Sequence, residues 1–150
     1  AGAAEGTEGD RFALKALTLG TAAVLAVNVV PYIGEPLIVN TMSLARAKGD
    51  FFQRSGVWRL EFLARYTPEK MVELGVVDVL AEVAGGTRDT ETQRLCLKAL
   101  ERLAAKGGAA GRQAVGAHCG RLGDLERALQ VQEGWAGRAA TLARTCGCEL

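Results

Sequence analysis

QRSGVWRLEFLA, from Gln53 to Ala64, lines up without a gap with QRLCLKALERLA, from Gln93 to Ala104. Gln53 matches Gln93, Arg54 matches Arg94, Val57 matches Leu97, Leu60 matches Leu100, Leu63 matches Leu103 and Ala64 matches Ala104. Apolar residues recurring three and four apart mark one face of a helix, so both stretches predict helices that bury the same face. Asp50 stands three residues before Gln53 and Thr90 three before Gln93, the spacing of a helix-opening box. A weaker third copy follows at almost the same interval, placing Leu142-Ala143 on Leu103-Ala104 and Trp135 on Cys96. A period near 40 with two or three helices per unit is the signature of a helical solenoid.

VELGVVDVLAEVAGGTRDTETQRLCLKALERLA, Val72 to Ala104, resembles an armadillo or HEAT-type repeat: a glycine-led short hydrophobic helix, a polar loop, then a long helix ending leucine-x-x-leucine-alanine. The resemblance covers about two to three repeats and implies an all-α fold, a right-handed stack that presents its long helices as a binding surface. The family's peptide-clamping asparagine would fall where this chain has Phe62 and Arg102, so peptide recognition of the importin kind is not implied. So short a stack leaves its ends wanting a cover, since neighbouring repeats stabilise one another by burying each other's apolar faces.

Upstream, ALTLGTAAVLAVNVVPYIG runs from Ala16 to Gly34 without an ionisable side chain. As a helix it would rise about 28 Å, close to the roughly 30 Å of a bilayer core. Thr18, Thr21, Asn28, Gly20 and Pro31 dilute its apolar character, and the alternative is the first core helix of the domain. Residues 1–10 are small and acidic and predict a flexible tail; 11–34 form the apolar segment and 35–150 the repeat domain. The chain opens on Ala1 without methionine, which reads as a processed protein or a fragment. Glu35-Pro36 predicts a helix start, with the helix running to about Ala47 before Gly49.

The chain has 150 residues, enough to bury a sizeable core without disulfides or metal. A formal net charge of +1 argues against nucleic acid as a partner. Cys96 falls inside the repeat helix and reads as a buried thiol. Cys119, Cys146 and Cys148 with His118 are spaced too tightly for easy tetrahedral zinc, and a disulfide from Cys119 to one of the C-terminal pair is open. His118, the only histidine, reads as a helix-end residue beside Gly120; with no carboxylate pair or nucleophile in a recognisable setting, no enzyme, cofactor or small-molecule substrate is expected.

On the helix expected from Phe51 to Tyr66, Val57, Leu60, Leu63 and Ala64 share one arc. Phe51, Trp58, Phe62 and Tyr66 share a second, about 80° wide. The next repeat carries Lys98, Arg102 and Lys106 at the positions of Trp58, Phe62 and Tyr66. These seven residues are the candidate partner-binding set, aromatic at the centre and basic at the rim; the alternative packs the aromatics on the chain's own segment 37–44. The expectation is a non-catalytic accessory subunit making protein contacts in a larger membrane complex, with membrane contact through 16–34 and the mitochondrial inner membrane as its site. The alternative is a soluble armadillo-type adaptor.

Overall fold

The computed structural model describes residues 6–29 and 34–149, which divide into two compact units, 1–37 and 38–150. Every regular element among the described residues is helical.

The first unit holds α1, Gly6–Val29. It begins inside the stretch expected to be a flexible tail: residues 1–5 lie outside the described residues, whereas Gly6–Asp10 are helical, with Glu8 favourably placed against the positive end of the helix dipole. Of the segment 16–34 expected to be long enough to span a bilayer, the part within α1 ends at Val29. Glu8, Asp10, Arg11 and Lys15 occupy the first half of α1, and its uncharged remainder, Ala16–Val29, rises only about 21 Å at 1.5 Å per residue. No helix among the described residues is long and apolar enough to cross a membrane. Residues 30–33 of the expected segment lie outside the described residues.

The second unit opens within α2, Glu35–Ala45, which buries Ile38, Thr41 and Ala45 along one face and ends two residues before the expected Ala47. Then α3, Asp50–Leu63, crosses it at Gly56, where a Cβ would lie only 2.3 Å from the backbone nitrogen of Ala45. A glycine there is what lets the two backbones meet. Arg46 beyond the end of α2 reaches Glu82 at 3.4 Å. α3 buries Val57 and Leu60, with Ala64 just past its end, as the apolar arc predicts. It stops at Leu63, not Tyr66, because the chain has to turn before Pro68, and proline biases the residue before it away from helix.

Two successive triplets follow. α4 (Pro68–Glu73, proline in its first turn), α5 (Val76–Gly86) and α6 (Thr90–Lys106) form one, separated by the left-handed Gly75 and the loop before Thr90. α7 (Gly108–Gly116), α8 (Cys119–Ala128) and α9 (Trp135–Thr145) form the second. α5 and α6 are the centre: α6 carries nine buried residues and packs on α3, α4, α5, α7 and α9. Leu97, Leu100 and Leu103 of α6 are fully or almost fully buried, and so are Leu142 and Ala143 of α9, the counterparts of Leu103 and Ala104 in the third copy.

The expected helix-opening boxes are corrected. The N-cap of α6 is Asp89, whose carboxylate accepts from the Thr92 N–H at 3.1 Å, and Gln93 instead donates to the Thr87 carbonyl at 3.0 Å. α3 is preceded by Gly49 with no side-chain cap, and Asp50 is already in its first turn. A carboxylate out-competes the Thr90 hydroxyl at this point because it also accepts two hydrogen bonds from Arg54, at 2.7 and 2.9 Å.

Cys96 is fully buried in the core, and that burial holds its thiol far above the ordinary range. Cys119 and Cys148 form a disulfide that ties the start of α8 to the chain beyond α9. Cys146 is free and half-buried.

Candidate protein-binding face

Residues four apart on a helix stand one above the other, and on α3 this rule lines up rings. Trp58 stacks on Phe62 with centroids 6.1 Å apart, and Phe62 meets Tyr66 at 5.3 Å. Phe51, two helical turns before Trp58, meets Phe52 edge-on at 5.6 Å. The four residues of the arc are exposed by 78% (Phe51), 54% (Trp58), 42% (Phe62) and 68% (Tyr66), while Val57, Leu60 and Ala64 on the opposite arc are fully buried. α2 turns Ile38, Thr41 and Ala45 into the core. The Arg65 guanidinium lies 5.8 Å over the Phe62 ring.

Beside this ladder runs α6, where the three basic residues aligned with the aromatics have different fates. Arg102 turns inward: its Nη2 is 2.8 Å from Glu61 Oε1 and its Nη1 donates to the Glu61 carbonyl at 3.3 Å. Glu61, buried on α3, also faces Arg65 at 3.6 Å, so two guanidiniums neutralise one carboxylate between the helices. Lys98 reaches over the Trp135 ring at 5.5 Å, and Lys106 is exposed in the last turn of α6, where a cation suits the helix dipole. The structure therefore brings Trp58, Lys98 and Arg102 to the lining of one hollow between α3 and α6, with Phe62 stacked on Trp58 and Tyr66 against Phe62; Phe51 lines a second hollow with Trp58, and Lys106 lines neither. In the third copy, the positions of Lys98, Arg102 and Lys106 are taken by Gly137, Thr141 and Thr145. The face thus passes from aromatic to basic to small along α3, α6 and α9.

Trp135, at the first position of α9 and aligned with Cys96 in the third copy, is the centre of a cation cluster that periodicity does not pick out. Arg138, Arg94 and Lys98 lie 4.4, 5.3 and 5.5 Å from its ring centre, and a cation over an indole face is an attractive arrangement. Arg138 is fixed in turn by Glu101, its Nε donating at 3.0 Å and its Nη2 to the other oxygen; this carboxylate raises the arginine's pKa. The sequence around Trp135 does not signal this cluster, because Arg94, Lys98 and Glu101 all come from α6, the long helix of the preceding triplet.

Two hollows flank Trp58. One of about 360 Å3 is lined by Trp58, Glu61, Lys98, Arg102 and Arg138, and one of about 330 Å3 by Phe51, Arg54, Ser55, Trp58 and Leu95. A larger groove of about 650 Å3 lies between α6 and α9, floored by Ala104, Ala105, Gly137 and Leu142. His118, at the N-cap of α8 as its position predicts, makes a 2.6 Å contact with Asp78 Oδ1 on α5. Among the described residues no group of three or more His, Cys, Asp or Glu side chains is placed to hold a metal ion.

Compared with models of protein families, with curated proteins and with solved structures, the chain finds no match.

Proposed function

We propose that the chain is a non-catalytic accessory subunit, an armadillo-like stack whose α3 aromatic face docks a protein partner within a larger membrane complex. The observation that carries this reading is the uncovered Trp58–Phe62–Tyr66 ladder with Phe51 upstream. Four large rings left in water are a standing cost of burial forgone, and several hundred Å2 of aromatic surface is of the size that anchors interface hot spots. The cations on α6 and α9 frame it as a polar rim frames an interface centre. The succession of α4–α6 by α7–α9, three helices followed by three, supports the repeat architecture.

α1 supplies a second attachment. Phe12, Leu14, Leu17 and Leu19 of that helix are exposed, and large apolar side chains left exposed together suit a cover in a larger assembly or in lipid. The mitochondrial inner membrane is the compartment we propose to examine first.

The test is native electrophoresis of detergent-extracted membranes from cells carrying Trp58→Ala with Phe62→Ala. The double variant should leave the complex and migrate free while keeping its helical circular dichroism. A variant that stays fully bound removes the ladder as the docking site, and one that unfolds makes it intramolecular core.

A further inference from the structure

Three of the four cysteines gather where α8 begins and α9 ends. Cys119 opens α8, Cys146 follows the last residue of α9, and Cys148 lies two residues further on, joined to Cys119. All three converge on Gly116, the last residue of α7. A Cβ built on Gly116 would lie 2.5 Å from the Cys146 carbonyl oxygen and 3.6 Å from the Cys146 Cβ. The carbonyl of Gly116 lies 3.0 Å from Cys119 Sγ and 3.9 Å from Cys148 Sγ. The carbonyl and Cβ of the free Cys146 and both sulfurs of the disulfide therefore lie against one backbone position, Gly116, where a larger residue would meet the Cys146 carbonyl.

We propose that Cys119, Cys146 and Cys148 form an intramolecular thiol–disulfide exchange site, in which Cys146 replaces Cys148 as the partner of Cys119. The Cys146 thiol gives its proton to solvent and the thiolate attacks Cys119 Sγ. The new Cys119–Cys146 bond forms as the Cys119–Cys148 bond breaks, and the electron pair leaves on Cys148 Sγ, which takes up a proton. Nothing is oxidised or reduced overall, so no external oxidant or reductant enters. Arg112, on α7, favours the Cys146 thiolate, while burial acts more strongly in the other direction and leaves the thiol raised. The exchange is accordingly slow, on the minutes-to-hours scale of uncatalysed disulfide rearrangement. Its product moves the staple from the residue after the left-handed Gly147 to the end of α9 itself, and releases the buried Cys148.

The experiment incubates the full chain at mildly alkaline pH, quenches aliquots with acid, labels free thiols with N-ethylmaleimide and locates the label by tandem mass spectrometry in the peptide that follows Arg144. The expected result is label shifting with time from Cys146 toward Cys148, until the two differ by no more than about tenfold, the ratio given by staples about 1.4 kcal/mol apart. In air-oxidised Cys148→Ser, Cys119 should be found bonded to Cys146. Label confined to Cys146 at all times overturns the exchange, as does a Cys148→Ser chain of native helix content in which Cys119 and Cys146 both stay free.

Discussion

Gly56→Ala tests whether the end of α2 is seated on α3. A methyl group at this position would meet the Ala45 nitrogen at 2.3 Å and the Ala45 Cα and Leu44 carbonyl carbon at 2.7 Å, all backbone atoms that no rotamer change can move aside. Restoring ordinary contact requires the end of α2 to retreat by about 1 Å, since heavy atoms settle near 3.5 Å. Overpacking of this kind costs about 1–3 kcal/mol, and a rigid backbone neighbour places it in the upper half of that range. Alanine recovers about 1 kcal/mol of helix propensity over glycine in a helix interior. The net is a loss of about 1–2 kcal/mol, or about 4–8 °C in melting temperature for a domain of this size. Gly137→Ala is the control: nothing lies within 4 Å of its Cβ position on α9, so the propensity gain stands alone and the protein should gain about 0.5–1 kcal/mol. Urea titration followed by circular dichroism reads both, with the midpoint moving and the slope constant. A Gly56→Ala protein as stable as the parent, or more so, would refute the close crossing of α2 on α3.

Cutting the disulfide by Cys119→Ser should lower stability by about 3–4 kcal/mol, from the loop-closure entropy of a 29-residue separation, read as a lower thermal midpoint that dithiothreitol reproduces in the parent. Asp89→Ala removes both the α6 cap and the partner of Arg54, and should cost about 1–2 kcal/mol at neutral pH. The Arg54 hydrogen bonds hold the Asp89 carboxyl below its ordinary 3.8 in the folded state, so the unfolded chain binds its proton first as pH falls. The contribution is then full above about pH 4 and fades below it, so the gap between parent and variant urea midpoints should narrow at pH 3; a constant gap would mean that the carboxylate charge is not what stabilises the cap.

The helical faces were legible because they depend only on spacing. Val57 and Leu60 on α3, Ala64 just past its end, and Leu97, Leu100 and Leu103 on α6 are buried where the repeat alignment places them. Helix ends were less legible, because several residues compete for one orphan N–H. Asp89 won the cap of α6 through Arg54, whose position in space no local pattern encodes. The pairing of Cys119 with Cys148 instead of Cys146 is likewise a consequence of how α8 and α9 meet. The onset of α1 at Gly6 went unread because small and acidic residues signal a loop by composition while still satisfying the first turn of a helix.

For the candidate site the same division holds, with a consequence for recognition. The aromatic arc follows from 100° per residue, and its exposure follows from where the rest of the chain packs. The basic rim follows from neither. A guanidinium aligned with Phe62 reads as a free surface charge, yet Arg102 is spent on a buried carboxylate of the preceding long helix, Arg138 on Glu101 and Arg54 on Asp89. Each of these bridges joins one long helix to the next or to the loop that leads into it, so the cations hold the stack together before they meet any partner. What they leave on the face is mostly apolar area bordered by charges already compensated. Compensated charges contribute little long-range field, whereas desolvated rings contribute with short range and strong shape dependence. Under the proposed function, a partner would therefore be selected by fit to the ladder of Trp58, Phe62 and Tyr66 and not by net charge, and Lys98 and Lys106 would be the basic residues of the set left to adjust its approach.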